Sequence, residues 1–487
     1  MLNRRDALLA TLFGAGYVGV QAIATGLPAW FIANPKRATA QSLQCATDAV
    51  QNMQYLVVSA SSNGDPINCN CPGTYEDATA VHPNDAQLAP TPVDLGGRTY
   101  TTALPWASKE GAGGLMPDAV LARTNFFHYR TGSVVHGDQA KVMKMMGATN
   151  NGEMLISLYA KYLSQCLGTV QAEPISVGAG RNATELLSYA GRPAANVSPS
   201  SLKAMLGSSG GGTGGGRPAG GGQFGGNSQA AALKSLRTIR DTTMDQLNQL
   251  AKRDSTNVQM QFLDALSRSQ AQVRSLQDKL ATALGSVNGD DVKSQAYAAA
   301  ALISANVTPV VTMRIAFGGD NHSDQNLAAE VAQHVTGVQG IADLMTALQS
   351  LNLIDKVTFA TLNVFGRNLN GIAKTDSRSG RDHYGNHAVC VLIGKNIKPG
   401  VTGGVLPGSG GSGGPGGGSG SALGAAPIES ETGLGSANGD IKPSETYGAL
   451  ARTLGVALGL NAADVDKGLN ANAGGKVVRT TVVNGTA

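Results

Sequence analysis

Thr308-Pro309-Val310-Val311-Thr312-Met313-Arg314-Ile315-Ala316-Phe317-Gly318-Gly319-Asp320-Asn321-His322 decides the fold. Residues 310–317 are an apolar, β-branched run entered through a proline, which is tolerated where a strand begins. The run ends in a glycine turn carrying a carboxylate and an imidazole. Downstream, Val331, Val335, Val338, Ile341, Met345 and Leu348 recur at helical spacing and predict an amphipathic helix over about 327–351. A second strand is expected over 356–362, ending in Asn363-Val364-Phe365-Gly366-Arg367. A third is expected over 388–393, after Arg381-Asp382-His383-Tyr384. Strand, helix, strand in this order predicts a parallel α/β unit. Sheets of that kind bind ligands beyond the C-terminal ends of their strands.

Upstream, Tyr55-Leu56-Val57-Val58-Ser59-Ala60 reads as a buried strand running into the loop Ser61-Ser62-Asn63-Gly64-Asp65-Pro66. Residues 67–135 read as loop-rich, 150–166 as a helix and 174–177 as a strand. Two glycine tracts, 207–226 and 400–424, hold 25 of the 65 glycines and cannot form a packed core. Between them, 228–284 reads as a helical hairpin. Leu233, Leu236, Ile239, Met244, Leu247 and Leu250 line one helix, and Phe262, Leu266, Val273, Leu276 and Leu280 the next. The pair either packs on the main body or docks a protein partner.

At the N-terminus, Arg4 and Arg5 precede a glycine-broken apolar run and an Ala38-Thr39-Ala40 cleavage site. This pattern resembles a twin-arginine export signal over 1–40, with the Tat translocase as partner and a periplasmic or extracellular destination. A retained membrane helix is the competing reading of that segment. Without 1–40 the chain has 33 basic and 32 acidic residues, which argues against a nucleic-acid surface. No second apolar run is long enough for a permanent membrane span. The destination permits disulfides, and Cys69 and Cys71 each have Cys45 and Cys166 as possible partners.

Asp320-x-His322 and Asp382-His383 place oxygen and nitrogen donors on loops beside strands. That chemistry suits a divalent ion such as zinc, manganese or calcium. Asp65, after the first strand, is a further candidate ligand. Arg367 and Arg381 are candidates for binding a phosphate or sulfate group. His136, in Val135-His136-Gly137-Asp138, is the candidate catalytic histidine, and His387 is either a further ligand or structural.

Three motifs carry a resemblance. Phe317-Gly318-Gly319-Asp320-Asn321-His322, Asn363-Val364-Phe365-Gly366-Arg367-Asn368 and Gly380-Arg381-Asp382-His383-Tyr384 occur in order. Together they resemble the bacterial, often Tat-exported domain-of-unknown-function family 1501. The resemblance implies an alkaline-phosphatase/sulfatase-like α/β fold. Its mixed sheet would be flanked by helices, within one domain over 41–487 that carries the hairpin and both glycine tracts as insertions. Val364 stands where that family has an acidic residue, and Val135 where it has serine. Two functions are therefore expected. One is a degenerate binding or surface scaffold, and the other a metal-dependent hydrolase of phosphate or sulfate esters retaining one metal site.

Overall fold

The computed structural model describes residues 51–76, 82, 85–138, 155–169, 172–178, 195–207, 284–369, 380–407, 423–469 and 474–483, with scattered positions between 242 and 267. The expected export signal lies outside them, as does the glycine tract beyond Gly207. In chain order, β1 (Tyr55–Ser61) is followed by the hairpin of β2 (Pro90–Leu95) and β3 (Arg98–Ala103), then by β4 (Thr124–Tyr129) and α1 (Leu155–Leu167). Next come β5 (Ile175–Val177), β6 (Ala195–Val197), α2 (Pro199–Gly207) and α3 (Val292–Ser304). The run that decides the fold is β7 (Val310–Met313), α4 (Ala328–Ser350) and β8 (Val357–Asn363). It leads into β9 (Gly366–Arg367), β10 (His383–Tyr384), β11 (Ala388–Ile393), β12 (Gly400–Thr402), β13 (Val405–Pro407), β14 (Leu423–Ala425), α5 (Thr446–Ala457) and α6 (Ala462–Gly468).

Eight strands make one mixed sheet in the order β12-β4-β11-β8-β1-β7-β5-β6. β1 lies parallel to both β7 and β8, while β11 runs antiparallel to its neighbours β8 and β4. Alternate side chains supply two cores, as the pleat requires. Val57, Phe126, Phe359 and Val391 face a layer with α3 and α4. Leu56, Val58, Phe127, Leu362 and Leu392 face a layer with α1 and α5. Both faces are covered, so the strands read as continuous apolar runs.

Several local expectations change. β7 stops at Met313 because side chains replace the ladder: Arg314 N–H donates to Gln295 Oε1 (3.1 Å) and Ile315 N–H to Ser59 Oγ (2.9 Å). β4 lies within the stretch read as loop. Its Thr-Asn-Phe-Phe-His-Tyr sequence hides a fully buried strand in which Thr124 Oγ1, Asn125 Nδ2 and both His128 ring nitrogens find partners in the interior. The tract 400–424 is narrower than its glycines suggest, since β12, β13 and β14 occupy its ends, and β13 pairs with β14. The pairings expected for Cys69 and Cys71 are not made: both are buried free thiols, and burial pushes each up to about 12. Cys166 is disulfide-bonded. Of the expected hairpin 228–284, the described positions between 242 and 267 are helical, and Leu250, expected on the apolar line of its first helix, is exposed. No helix among the described residues is long and apolar enough to cross a membrane.

Three buried histidines stay neutral in this fold. His128 Nδ1 meets His387 Nε2 at 2.9 Å, and His128 Nε2 meets the Pro72 carbonyl at 3.1 Å. His387 Nδ1 lies 3.3 Å from Asn68 Nδ2, so its role is structural. Trp106 Nε1 donates to His334 Nε2 at 2.8 Å. Burial lowers His128 to about 4 and His334 to about 3, and sets His387 well below its ordinary value. The unfolded chain therefore binds more protons below the ordinary value of 6.5, and stability falls as pH drops through it. With chelator present, His334→Gln should lose less stability than wild type between pH 7 and pH 5. The expected difference is roughly 2 kcal/mol in urea unfolding; parallel losses would refute the assignment.

Candidate metal centre

The C-terminal edge of the parallel strands gathers five loops. They follow β1, β4, β7 and β8, and precede β11, which runs the opposite way. β9 and β10 join two of them, with His383 opposite Arg367 and Tyr384 opposite Gly366. Backbone bonds add the loop after β7: Gly380 N–H donates to His322 O (2.8 Å) and Arg381 N–H to Asn321 O (3.2 Å).

On this frame, Asp320 sits among three histidines. Its Oδ1 is 3.1 Å from His322 Nε2 and 3.4 Å from His383 Nε2, and its Oδ2 is 3.4 Å from His136 Nε2. Donor atoms around a tetrahedral zinc stand about 3.3 Å apart, given bond lengths of about 2.0–2.1 Å. Donor atoms of His136, Asp320 and His383 all lie within 4.8 Å of one another. His136, expected to be catalytic, thus stands as a candidate ligand beside the expected Asp320 and His383, and His322 adjoins this group through Asp320 and His383 as a fourth.

Proton bookkeeping tests the fit. His383 Nδ1 lies 2.7 Å from Val134 O, and His136 Nδ1 lies 2.6 Å from Ser62 O. A ring nitrogen must carry hydrogen to bond a carbonyl, so in the neutral rings both Nε2 atoms are bare. His136 Nε2 is buried without a hydrogen-bond partner. His383 Nε2 also meets His322 Nε2 at 2.8 Å. If neutral His322 carries its proton on Nδ1, facing Asp382 Oδ1 at 3.3 Å, two bare nitrogens meet. If it carries the proton on Nε2, a bare Nδ1 faces the carboxylate. An added positive charge at the cluster, from a cation or a further proton, removes the conflict.

Electrostatics point the same way. Burial would raise the Asp320 carboxyl, but His322 and the Arg367 guanidinium outweigh it and hold the group below its usual range. Burial, then the Arg367 charge, lower His383 and favour the neutral ring that binds metals.

The remaining expected residues take other places. Asp382 stands behind His322 rather than in the cluster of ligand atoms. Asp65 is buried, apart from that cluster. Burial pushes it up to about 7, against hydrogen bonding from Ser61 and the charges of Arg314 and Arg367, and its Oδ1 is unpartnered. Neither arginine is presented to an incoming anion. Arg367 is fully buried and donates to the carbonyls of Gly64 (2.6 Å), Asn63 (2.7 Å), Gly319 (3.1 Å) and Arg381 (3.1 Å). Arg381 is fully buried and bidentate on Glu330, at 2.7 and 3.0 Å. Glu330 was not legible as part of this site, because a glutamate in a helix's first turn reads as ordinary dipole chemistry.

Close approach constrains the loops. A Cβ on Gly380 would lie 1.5 Å from Asn321 O, whereas one on Gly319 meets nothing within 4 Å. Gly380→Ala should therefore destabilise the protein by about 1–3 kcal/mol, and Gly319→Ala by less than about 0.5 kcal/mol. Thermal unfolding of the two variants checks this; equal effects would contradict the packing.

Residues 220–412 match the family model described as "Protein of unknown function (DUF1501)". No curated protein matches the chain. The matched segment contains Asp320, His322, Arg367, Asp382 and His383, and leaves Asp65 and His136 outside it. That is the family which the three motifs resemble, matched over these residues alone.

Proposed function

We propose that this is an exported protein on a sulfatase/alkaline-phosphatase-like scaffold that holds one divalent ion and serves binding rather than ester hydrolysis. The 2.8 Å approach of the His322 and His383 ring nitrogens beside Asp320 carries the reading. His136, Asp320, His322 and His383 would hold the ion. Three nitrogens and a carboxylate favour zinc over manganese or calcium, since calcium takes about six to eight oxygens. When bound, such an ion supplies a Lewis acid. The chain's own residues argue against anionic esters as substrates: Arg367 and Arg381 are committed inside the fold, and Val364 offers no ligand atom.

Exposure favours a second reading. The Asp320 side chain is 51% exposed, so a substrate oxygen has access to the cluster, as a metal-dependent phosphate or sulfate ester hydrolase requires. The arginine pair before the apolar run supports Tat export to the periplasm or beyond. The 228–284 segment supports a protein partner.

Protein purified from its native compartment should contain about one ion per chain, and Asp320→Ala should lose it. Metal far below that level, unaffected by the substitution, would sink the metal reading. Aryl phosphates and sulfates should not turn over. Turnover abolished by His383→Ala would establish the hydrolase instead, and turnover surviving it would place the chemistry elsewhere. Deleting 228–284 should abolish capture of a partner while the body stays folded; retained capture would exclude that segment.

A further inference from the structure

Glu330 sits in the first turn of α4, and none of its surface is exposed. Its Oε2 accepts from Arg381 Nε (2.7 Å) and Asn321 Nδ2 (2.9 Å). Its Oε1 accepts from Arg381 Nη2 (3.0 Å) and Asn70 Nδ2 (2.8 Å). Four donors thus converge on one carboxylate, close to the full complement it can accept. Asn321 stands between Asp320 and His322, Arg381 lies two residues before His383, and Asn70 ends the helical turn Ile67–Asn70 that follows the loop after β1. One buried carboxylate thereby sets the distance between the two loops that carry three of the four candidate ligands.

We infer that Glu330 is a positioning residue for the metal centre, acting through Asn321 and Arg381; this rests on the metal reading above. The helix that carries Glu330 is itself anchored. Asp324 accepts from the Ala329 and Glu330 N–H groups at 2.8 Å each, and Leu327 is held at φ 58°, a left-handed conformation unusual for leucine. A buried ion pair alone is weak evidence for stability and is often replaceable by apolar residues. The reach of this carboxylate into the Asp320–His322 loop is what distinguishes it from such a pair.

The test is Co2+ titration of the full chain, read by the visible absorption of the bound ion and by equilibrium affinity. Wild type should bind with a spectrum of low-symmetry, nitrogen-rich coordination. Asn321→Ala leaves the Glu330–Arg381 pair intact. It should weaken Co2+ binding about 10-fold or more and shift the spectrum, while the metal-free melting temperature stays close to wild type. The paired variant Glu330→Met/Arg381→Met removes the buried charges together and should fold, yet it should show the same weakened and altered binding. If the paired variant fails to fold, Asn321→Ala decides. Co2+ affinity and spectrum unchanged in Asn321→Ala would overturn the inference and leave Glu330 structural. A wild-type protein that takes up no Co2+ would instead overturn the metal reading, and this inference with it.

Discussion

A guanidinium sealed inside a protein needs acceptors for its N–H groups, because leaving such a charge unpaired costs several kcal/mol. Arg367 finds them in the carbonyls of Asn63, Gly64, Gly319 and Arg381, which belong to three separate loops. It also meets Asp320 Oδ1 at 3.4 Å and lies over the Phe365 ring. The loops after β1, β7 and β8, and the segment leading to β11, are thereby tied to one planar group. Glu330 binds the same loops from the other direction through side chains. The candidate metal centre lies on loops held by these two buried charges, one drawing carbonyls inward and one drawing amides and a second arginine.

Strand direction makes the convergence possible. β1, β4, β7 and β8 deliver their C-terminal residues to one edge of the sheet. Asp382 and His383 precede their strand, and would have reached the opposite edge had β11 been parallel. Its antiparallel pairing with β8 and β4 returns them to the same edge. Glycine then allows the loops to touch. Gly64 adopts φ +67°, and a Cβ there would lie 1.9 Å from the Phe365 ring, which packs against His383 with ring centroids 4.2 Å apart.

The same side chain serves two ends in this molecule. His128, His334 and His387 are buried, and desolvation lowers all three, so they act as neutral core residues. His136, His322 and His383 lie at the solvent edge with their Nε2 atoms directed at one carboxylate. Composition cannot tell these groups apart. Asp-x-His and Asp-His spacing marked His322 and His383, while His128 and His136 stood in stretches without periodic signal and His334 fell inside the predicted helix without a motif to single it out.

The sequence alone determined the α/β class, the β1, β8 and β11 strands, the long helix α4 and three of the four residues now placed around the candidate ion. These are legible because hydrophobic periodicity and glycine turns are local, and because the motif loops are short. Tertiary structure alone decided that β4 is an interior strand of the sheet, where buried Asn125 Nδ2 and His128 meet partners far along the chain. It also decided that Arg367 and Arg381 face inward, that Asp382 stands behind His322, and that Glu330 bonds Asn321, Arg381 and Asn70 across their loops. Each of these depends on which loops meet at the sheet edge, and local spacing carries no information about contacts made across tens or hundreds of residues.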